Sequence, residues 1–127
     1  MTWELSPAGL KLNDKFILTS NKKCFMIIYN VTINIKKDVE LEWVKWMKEI
    51  HIPDIMKTNH FNSWKMFKIL VPAGMPDEIT YVVRYTTDSM EKYEEYARNE
   101  APRLQREHVE KYPGKFTASR AILEDVT

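Results

Sequence analysis

From Met26 onward the chain alternates. In "MIIYNVTINI", Ile27, Tyr29, Val31, Ile33 and Ile35 share one side, and Ile28, Asn30, Thr32 and Asn34 share the other. A period of two with β-branched residues marks a half-buried strand. The next stretch, "KDVELEWVKWMKEIH", changes period. Val39, Trp43, Met47 and Ile50 recur at intervals of four, four and three, the stripe of an amphipathic helix. Asp38 is placed to cap it, with Glu40 and Glu42 at the positive end of its dipole. Pro53 stops or kinks this helix, because a proline pushes the residue before it out of the α region. His51 then falls near the helix C-terminus.

"HFNSWKMFKILV" and "EITYVVRYTT" read as two further strands, joined through "PAGMPDE" as a hairpin loop. In the second of them Ile79, Tyr81, Val83 and Tyr85 alternate with Thr80, Val82, Arg84 and Thr86. "DSMEKYEEYARNEAPRLQREHVEKY" is a second helix. Asp88 and Glu91 have capping-box spacing, and Met90, Tyr93, Ala97, Ala101, Leu104 and His108 recur every three or four residues. Pro102 inside this run predicts a kink or a junction of two helices. "KFTASRAILEDV" is the fourth strand. Residues 1–25 have no sustained period beyond one short candidate strand, "KFILT". They read as an extension to a domain spanning 26–127, with Met26 a candidate for the natural initiator.

The order β-α-β-β-α-β predicts an α+β, ferredoxin-like protomer: one antiparallel four-stranded sheet with both helices on one face. The second face carries Ile28, Asn30, Thr32, Val82, Arg84 and, by alternation, Phe116, Ala118, Arg120 and Ile122. That mixture is too apolar to stay wet and too polar for a simple core. A second copy of the sheet would cover it, giving a homodimer whose two sheets close into a barrel.

Composition narrows the function classes. A chain of 127 residues suits one domain. Its net charge of +1, with both signs interspersed, offers no basic face for nucleic acid. The most apolar run, "CFMIIYNVTINI", is too short for a membrane helix, which needs about 20 apolar residues. The single cysteine, Cys24, makes no internal disulfide, so a reducing compartment and a cytoplasmic location are expected. No secretory signal is apparent.

Chemistry rests on few residues, and each has a plainer reading. His51 is a candidate general base, because imidazole titrates close to neutrality. It would equally serve as a helix C-cap. Asp54 would orient it, or simply belong to the turn after Pro53. Arg84 and Arg120 would bind a substrate anion, or pair with carboxylates across a dimer interface, since an unpaired buried charge is costly. Asn30 belongs with them. Trp43, Trp46 and Trp64, with Met47, Met66 and Phe67, would line an aromatic or haem pocket, or pack a core. His60 and His108 have no metal-ligand spacing, so no metal site is expected, and no motif calls for a cofactor.

Together "MIIYNVTINI", "EWVKWMKEIHIPDIM", "ITYVVRY" and "FTASRAIL" resemble a small uncharacterised bacterial family, a domain of unknown function. The resemblance covers about residues 26–126. That family is similar to the dimeric α+β barrel superfamily of antibiotic-biosynthesis monooxygenases, muconolactone isomerases and ethyl-tert-butyl-ether-degradation (EthD) proteins. The resemblance implies a homodimer with a cavity between sheet and helices in each protomer. It places His51, in its His-x-Pro setting, near the cavity mouth. On this reading a small-molecule ligand sits among Asn30, Trp43, Met47, His51, Trp64, Arg84 and Arg120. His51 acts as acid/base and Arg84 or Arg120 as the anion partner. The competing class is a non-catalytic dimerisation module.

Overall fold

A computed structural model describes residues 26–127. The extension and Cys24 lie outside the described residues. Four strands form one antiparallel sheet: β1 (Ile27–Lys36), β2 (Ser63–Lys68), β3 (Glu78–Thr87) and β4 (Phe116–Glu124). Their order across the sheet is β2-β3-β1-β4, which makes the chain an α+β, ferredoxin-like fold. β1 is central because it is the most regular amphipathic strand. Its whole length pairs with β3, Ile27 opposite Thr87 through Lys36 opposite Glu78, and nearly all of it pairs with β4.

One face of the sheet is packed under the helices. Ile27, Tyr29, Val31, Ile33 and Ile35 of β1 and Tyr81, Val83, Tyr85 and Thr87 of β3 are all buried. Against them lie α1 (Glu40–Trp46) and α2 (Ile52–Met56), followed after β3 by α3 (Met90–Asn99) and α4 (Ala101–Lys111). Tyr29 stacks on Phe61 and Tyr85 and meets Tyr93 and Tyr96 within 6 Å between ring centroids. The core under the helices is therefore aromatic as much as aliphatic.

The first helical run departs from its expected course in two ways. Asp38 does not cap it; the residue sits in a short 3₁₀ turn, Lys37–Val39, and pairs with Lys115. Nor does Pro53 stop it. A π-helical turn, Met47–His51, joins α1 to α2, and Pro53 occupies the first turn of α2. A π turn widens the i→i−4 ladder by one residue, which gives the proline ring and its missing N–H room inside the run. The extra residue also rotates the buried face. Ile50, expected in the core, is exposed, while His51 and Ile52 are buried. The second helical run divides as Pro102 requires, with Glu100 between α3 and α4 and the proline in the first turn of α4. Its cap is Ser89, which accepts from Lys92 N–H, rather than Asp88.

The open face holds a second correction. Ala118, Arg120 and Ile122 stand opposite Ile33, Val31 and Tyr29, and Phe116 opposite Ile35. All four β4 residues are thus on the helix face, and Thr117, Ser119, Ala121 and Leu123 take the open one. The open face also carries Lys65 and Phe67, which stand opposite Arg84 and Val82. Among the described residues no helix is long and apolar enough to cross a membrane.

The rotated helix register has a direct stability consequence. Ile52→Ala should cost about 2–5 kcal/mol, the usual range for truncating a fully buried isoleucine. Ile50→Ala should stay within about 0.5 kcal/mol, as exposed substitutions do. Urea denaturation of the two variants reads the difference, and equal losses would reject the π-turn register.

Candidate functional site

A small cavity of about 30 Å³ lies between the helix face of the sheet and the helices. Its walls include Tyr29, Tyr96, His51, Gln105, His108 and Arg120. The π turn supplies His51, one turn of α4 supplies Gln105 and His108, and β4 supplies Arg120 from the edge of the sheet. A volume of this size accommodates a water or a small polar head group.

The two imidazoles face one another with ring centroids 5.1 Å apart. Each is wedged among aromatics. His51 stacks on Trp46 at 4.8 Å, and His108 lies flat on Phe116 at 3.8 Å. Trp43, fully buried, donates its indole N–H to His108 Nε2 at 3.0 Å. That bond fixes the neutral tautomer, so the proton of the His108 ring resides on Nδ1. His51 is blocked from protonation differently. Its Nδ1 is sealed in the interior without a hydrogen-bond partner, and a proton there would be an orphaned donor.

The electrostatics follow. Burial, opposed by the Asp54 charge and reinforced by Arg120, pushes the His51 pKa down to about 4. Burial, then the neighbouring His51 and Arg120, pushes His108 down to about 3. Both rings are neutral at physiological pH. Burial, with Tyr29 nearby, also raises the Tyr96 phenol above its ordinary value. Arg120 is the one charged side chain in the cavity wall. Its Nε donates to Tyr29 Oη at 3.1 Å. Among the described residues it forms no ion pair.

The seven residues expected to form one site divide into three groups. His51 and Arg120 line the cavity. Trp43, Met47 and Trp64 belong to the packing behind and beside it: the first two are completely enclosed, and Trp64 stands opposite Tyr85 on the helix face of edge strand β2. Asn30 and Arg84 are on the opposite, open face. There Arg84 Nε donates to Asn30 Oδ1 at 3.1 Å, and the guanidinium sits over the Phe67 ring at 5.5 Å. The two arginines expected on one face are therefore separated by the sheet itself. His51 is no C-cap, since the helical run continues to Met56. Asp54 does not hydrogen-bond it and instead approaches Lys57 at 3.9 Å. The residue the sequence reading passed over is His108. Its signal was present: a histidine in the buried stripe of the second helical run, in register with Ala101 and Leu104.

A family model for a domain of unknown function, DUF4286, matches residues 26–126. The chain belongs to this family. No curated protein matches it in sequence. Among solved structures it is similar to a Bacillus cereus protein provisionally assigned as an antibiotic-biosynthesis monooxygenase, at 18% identity and a TM-score of 0.56, covering 81% of this chain and 95% of that one. A Streptomyces coelicolor monooxygenase solved with nanaomycin D bound is similar at 14% identity and a TM-score of 0.53, covering 84% and 92%. A dimeric ferredoxin-like protein from an uncultured marine organism is similar at 9% identity and a TM-score of 0.51, covering 81% and 97%. At these identities the likeness establishes the fold of this DUF4286 chain.

The depressed histidines set a pH dependence. Unfolded imidazoles take up protons near pH 6.5, whereas His51 and His108 hold out to about 4 and 3. Between these limits the unfolded chain binds more protons, so stability falls as pH is lowered from 6.5. The loss should approach about 1.4 kcal/mol per pH unit for each histidine. Imidazole NMR should show neither ring titrating between pH 8 and 5.5. A midpoint near 6.5 for either ring would refute the buried geometry.

Proposed function

We propose that this DUF4286 protein is a small-molecule-binding α+β barrel that acts as a homodimer, with one pocket per protomer between helices and sheet. The observation that carries this reading is the composition of the cavity wall. Two neutral, buried histidines converge where apolar side chains would pack more stably, beside Arg120, which is exposed and has no carboxylate partner among the described residues. Buried polar groups of this kind cost stability unless partnered, and sites that give up stability in this way concentrate where ligands bind. The Streptomyces monooxygenase, with its bound small molecule, supports placing a ligand on this fold.

His51 is then the residue nearest to chemistry. With a pKa of about 4 it is neutral at working pH, and with Nδ1 sealed its proton resides on Nε2, so it suits donating a hydrogen bond to a ligand rather than a proton as a general acid. Residues 26–127 form the working domain, with residues 1–25 appended to it. A chain with one cysteine fits a reducing compartment such as the cytoplasm.

The homodimer reading rests on the open face. Phe67 and Leu123 are 44% and 40% exposed there, with Ile28, Val82 and Ala121 between them by register. Pairing with a second sheet removes this surface from water, and a similar ferredoxin-like protein is described as dimeric. The competing reading, a dimerisation module without a ligand, draws on the same face and on the complete packing of Trp43 and Met47.

Two experiments separate these readings. Sedimentation should give twice the chain mass for the wild type and the chain mass for Val82→Glu, which puts a charge at the centre of the covered face. A wild-type monomer at micromolar concentration would remove the barrel. A thermal-shift screen of metabolites should give at least one compound that raises Tm, worth about 2.7 kcal/mol at a hundredfold excess over Kd. His51→Ala should keep its fold and lose that response. If every hit shifts the His51→Ala variant equally, the pocket is not where the ligand binds.

A further inference from the structure

Charge and hydrogen-bonding capacity in the cavity narrow the ligand further, given the pocket reading above. Arg120 has its Nε engaged by Tyr29 Oη, which holds the guanidinium plane in place. Its two terminal nitrogens form no hydrogen bond or ion pair with the described residues. A planar fork of N–H donors in fixed orientation matches the two oxygens of a carboxylate. The His108 ring, also in the cavity wall, carries its proton on Nδ1 and has no free acceptor, because its Nε2 already receives the Trp43 N–H. No Asp or Glu is among the residues of the cavity wall, and the nearest carboxylate to act on it, Asp54, reaches His51 from outside that wall. The space, about 30 Å³, takes a carboxylate head and no more. Arg120 itself stands on an exposed edge strand, so the remainder of a longer molecule can lie outside.

We propose that the ligand is a monocarboxylate whose head group sits between the Arg120 guanidinium and the paired rings of His51 and His108. A single positive charge in the wall favours a single negative charge in the ligand. A neutral amide of the same shape would leave the guanidinium without its counter-charge, and an ammonium would meet like charge. His51 and His108 then select by shape and hydrogen bonding, and Arg120 selects by charge.

The test uses three probes of nearly equal shape: propionate, propionamide and n-propylammonium. Each is titrated into the full-length protein at pH 7 and followed by the imidazole ¹H–¹⁵N resonances of His51 and His108. Propionate should perturb both rings and bind at least tenfold more tightly than propionamide, with no perturbation from propylammonium. Arg120→Gln should remove the preference for propionate over propionamide. Arg120→Lys should retain a weaker preference, since a point charge replaces the fork. Both variants should melt close to the wild type, as expected for an exposed position on an edge strand. If propionamide or propylammonium perturbs the two rings as strongly as propionate does, the carboxylate assignment is wrong while the pocket stands. If none of the three reaches either ring, or propionate acts only at residues elsewhere, assignment and pocket fall together. An unchanged preference in Arg120→Gln would also reject it.

Discussion

The pleat of β1 organises everything described above. A strand has two sides and no intermediate, and β1 is hydrogen-bonded along both edges over nearly its whole length. Its alternation is therefore imposed on β3 and β4, residue by residue. Tyr29, Val31 and Ile33 choose the helix side because burying them outweighs any local preference of their partners, at roughly 25 cal/mol per Å² of apolar surface. Once they do, Arg120 opposite Val31 must also point toward the helices, although it is charged, and Asn30 and Arg84 must point away. The cavity and the open face are both consequences of that one strand.

How much of this could be read from the chain depended on the strength of each local pattern. β1 and β3 were legible because their apolar residues are β-branched or aromatic and strictly alternate. β4 was not. In "FTASRAILE" the phase holding Phe116, Ala118 and Ile122 also holds Arg120, and the phase holding Ala121 and Leu123 is nearly as apolar. Neither phase is plainly the buried one, and only pairing to β1 decides. The π turn was hidden for a different reason. Trp43, Met47 and Ile50 fit a regular helix as well as Trp43, Met47 and Ile52 fit a widened one. Pro53 signals disturbance, and it does not say whether the run breaks or absorbs an extra residue. His51 was singled out from the sequence, but its setting came only from that extra residue. His108 could have been found by asking why a histidine occupies a core stripe.

The cavity is built from groups whose charge has been suppressed. Ordinarily a pair of histidines near an arginine would share the cost of protonation by staying partly neutral and partly wet. Here the indole of Trp43 occupies the lone pair that His108 would protonate, and the sealed Nδ1 of His51 has nothing to donate to. Geometry and desolvation act in the same direction, which leaves Arg120 to set the potential of the cavity. The design trades stability for a fixed protonation state. Two imidazoles that remain neutral across the physiological range offer constant hydrogen-bonding directions, which a ring titrating near pH 6.5 would not.

The open face poses the opposite problem. A guanidinium on a face that a second sheet covers would need a counter-charge from the partner if it had none of its own. Arg84 already has two neighbours within the protomer, the Asn30 amide oxygen and the Phe67 ring. Neither carries a full charge, so the guanidinium keeps its positive charge while much of its hydrogen-bonding and packing demand is met locally. Two such faces brought together would place like charges near one another, unless the sheets cross so that each arginine meets the partner's polar row of Thr32, Asn34 and Thr80. Asn34 and Thr80 already share a hydrogen bond within the protomer, and oxygens there have lone pairs to spare. In the proposed homodimer the driving force would be Phe67, Val82, Ile28 and Leu123 leaving water, with the polar residues fixing the crossing angle. On the proposed reading the same sheet would present an apolar surface to a twin on one side and a single charged fork to a ligand on the other, and the pleat is what keeps the two arginines apart.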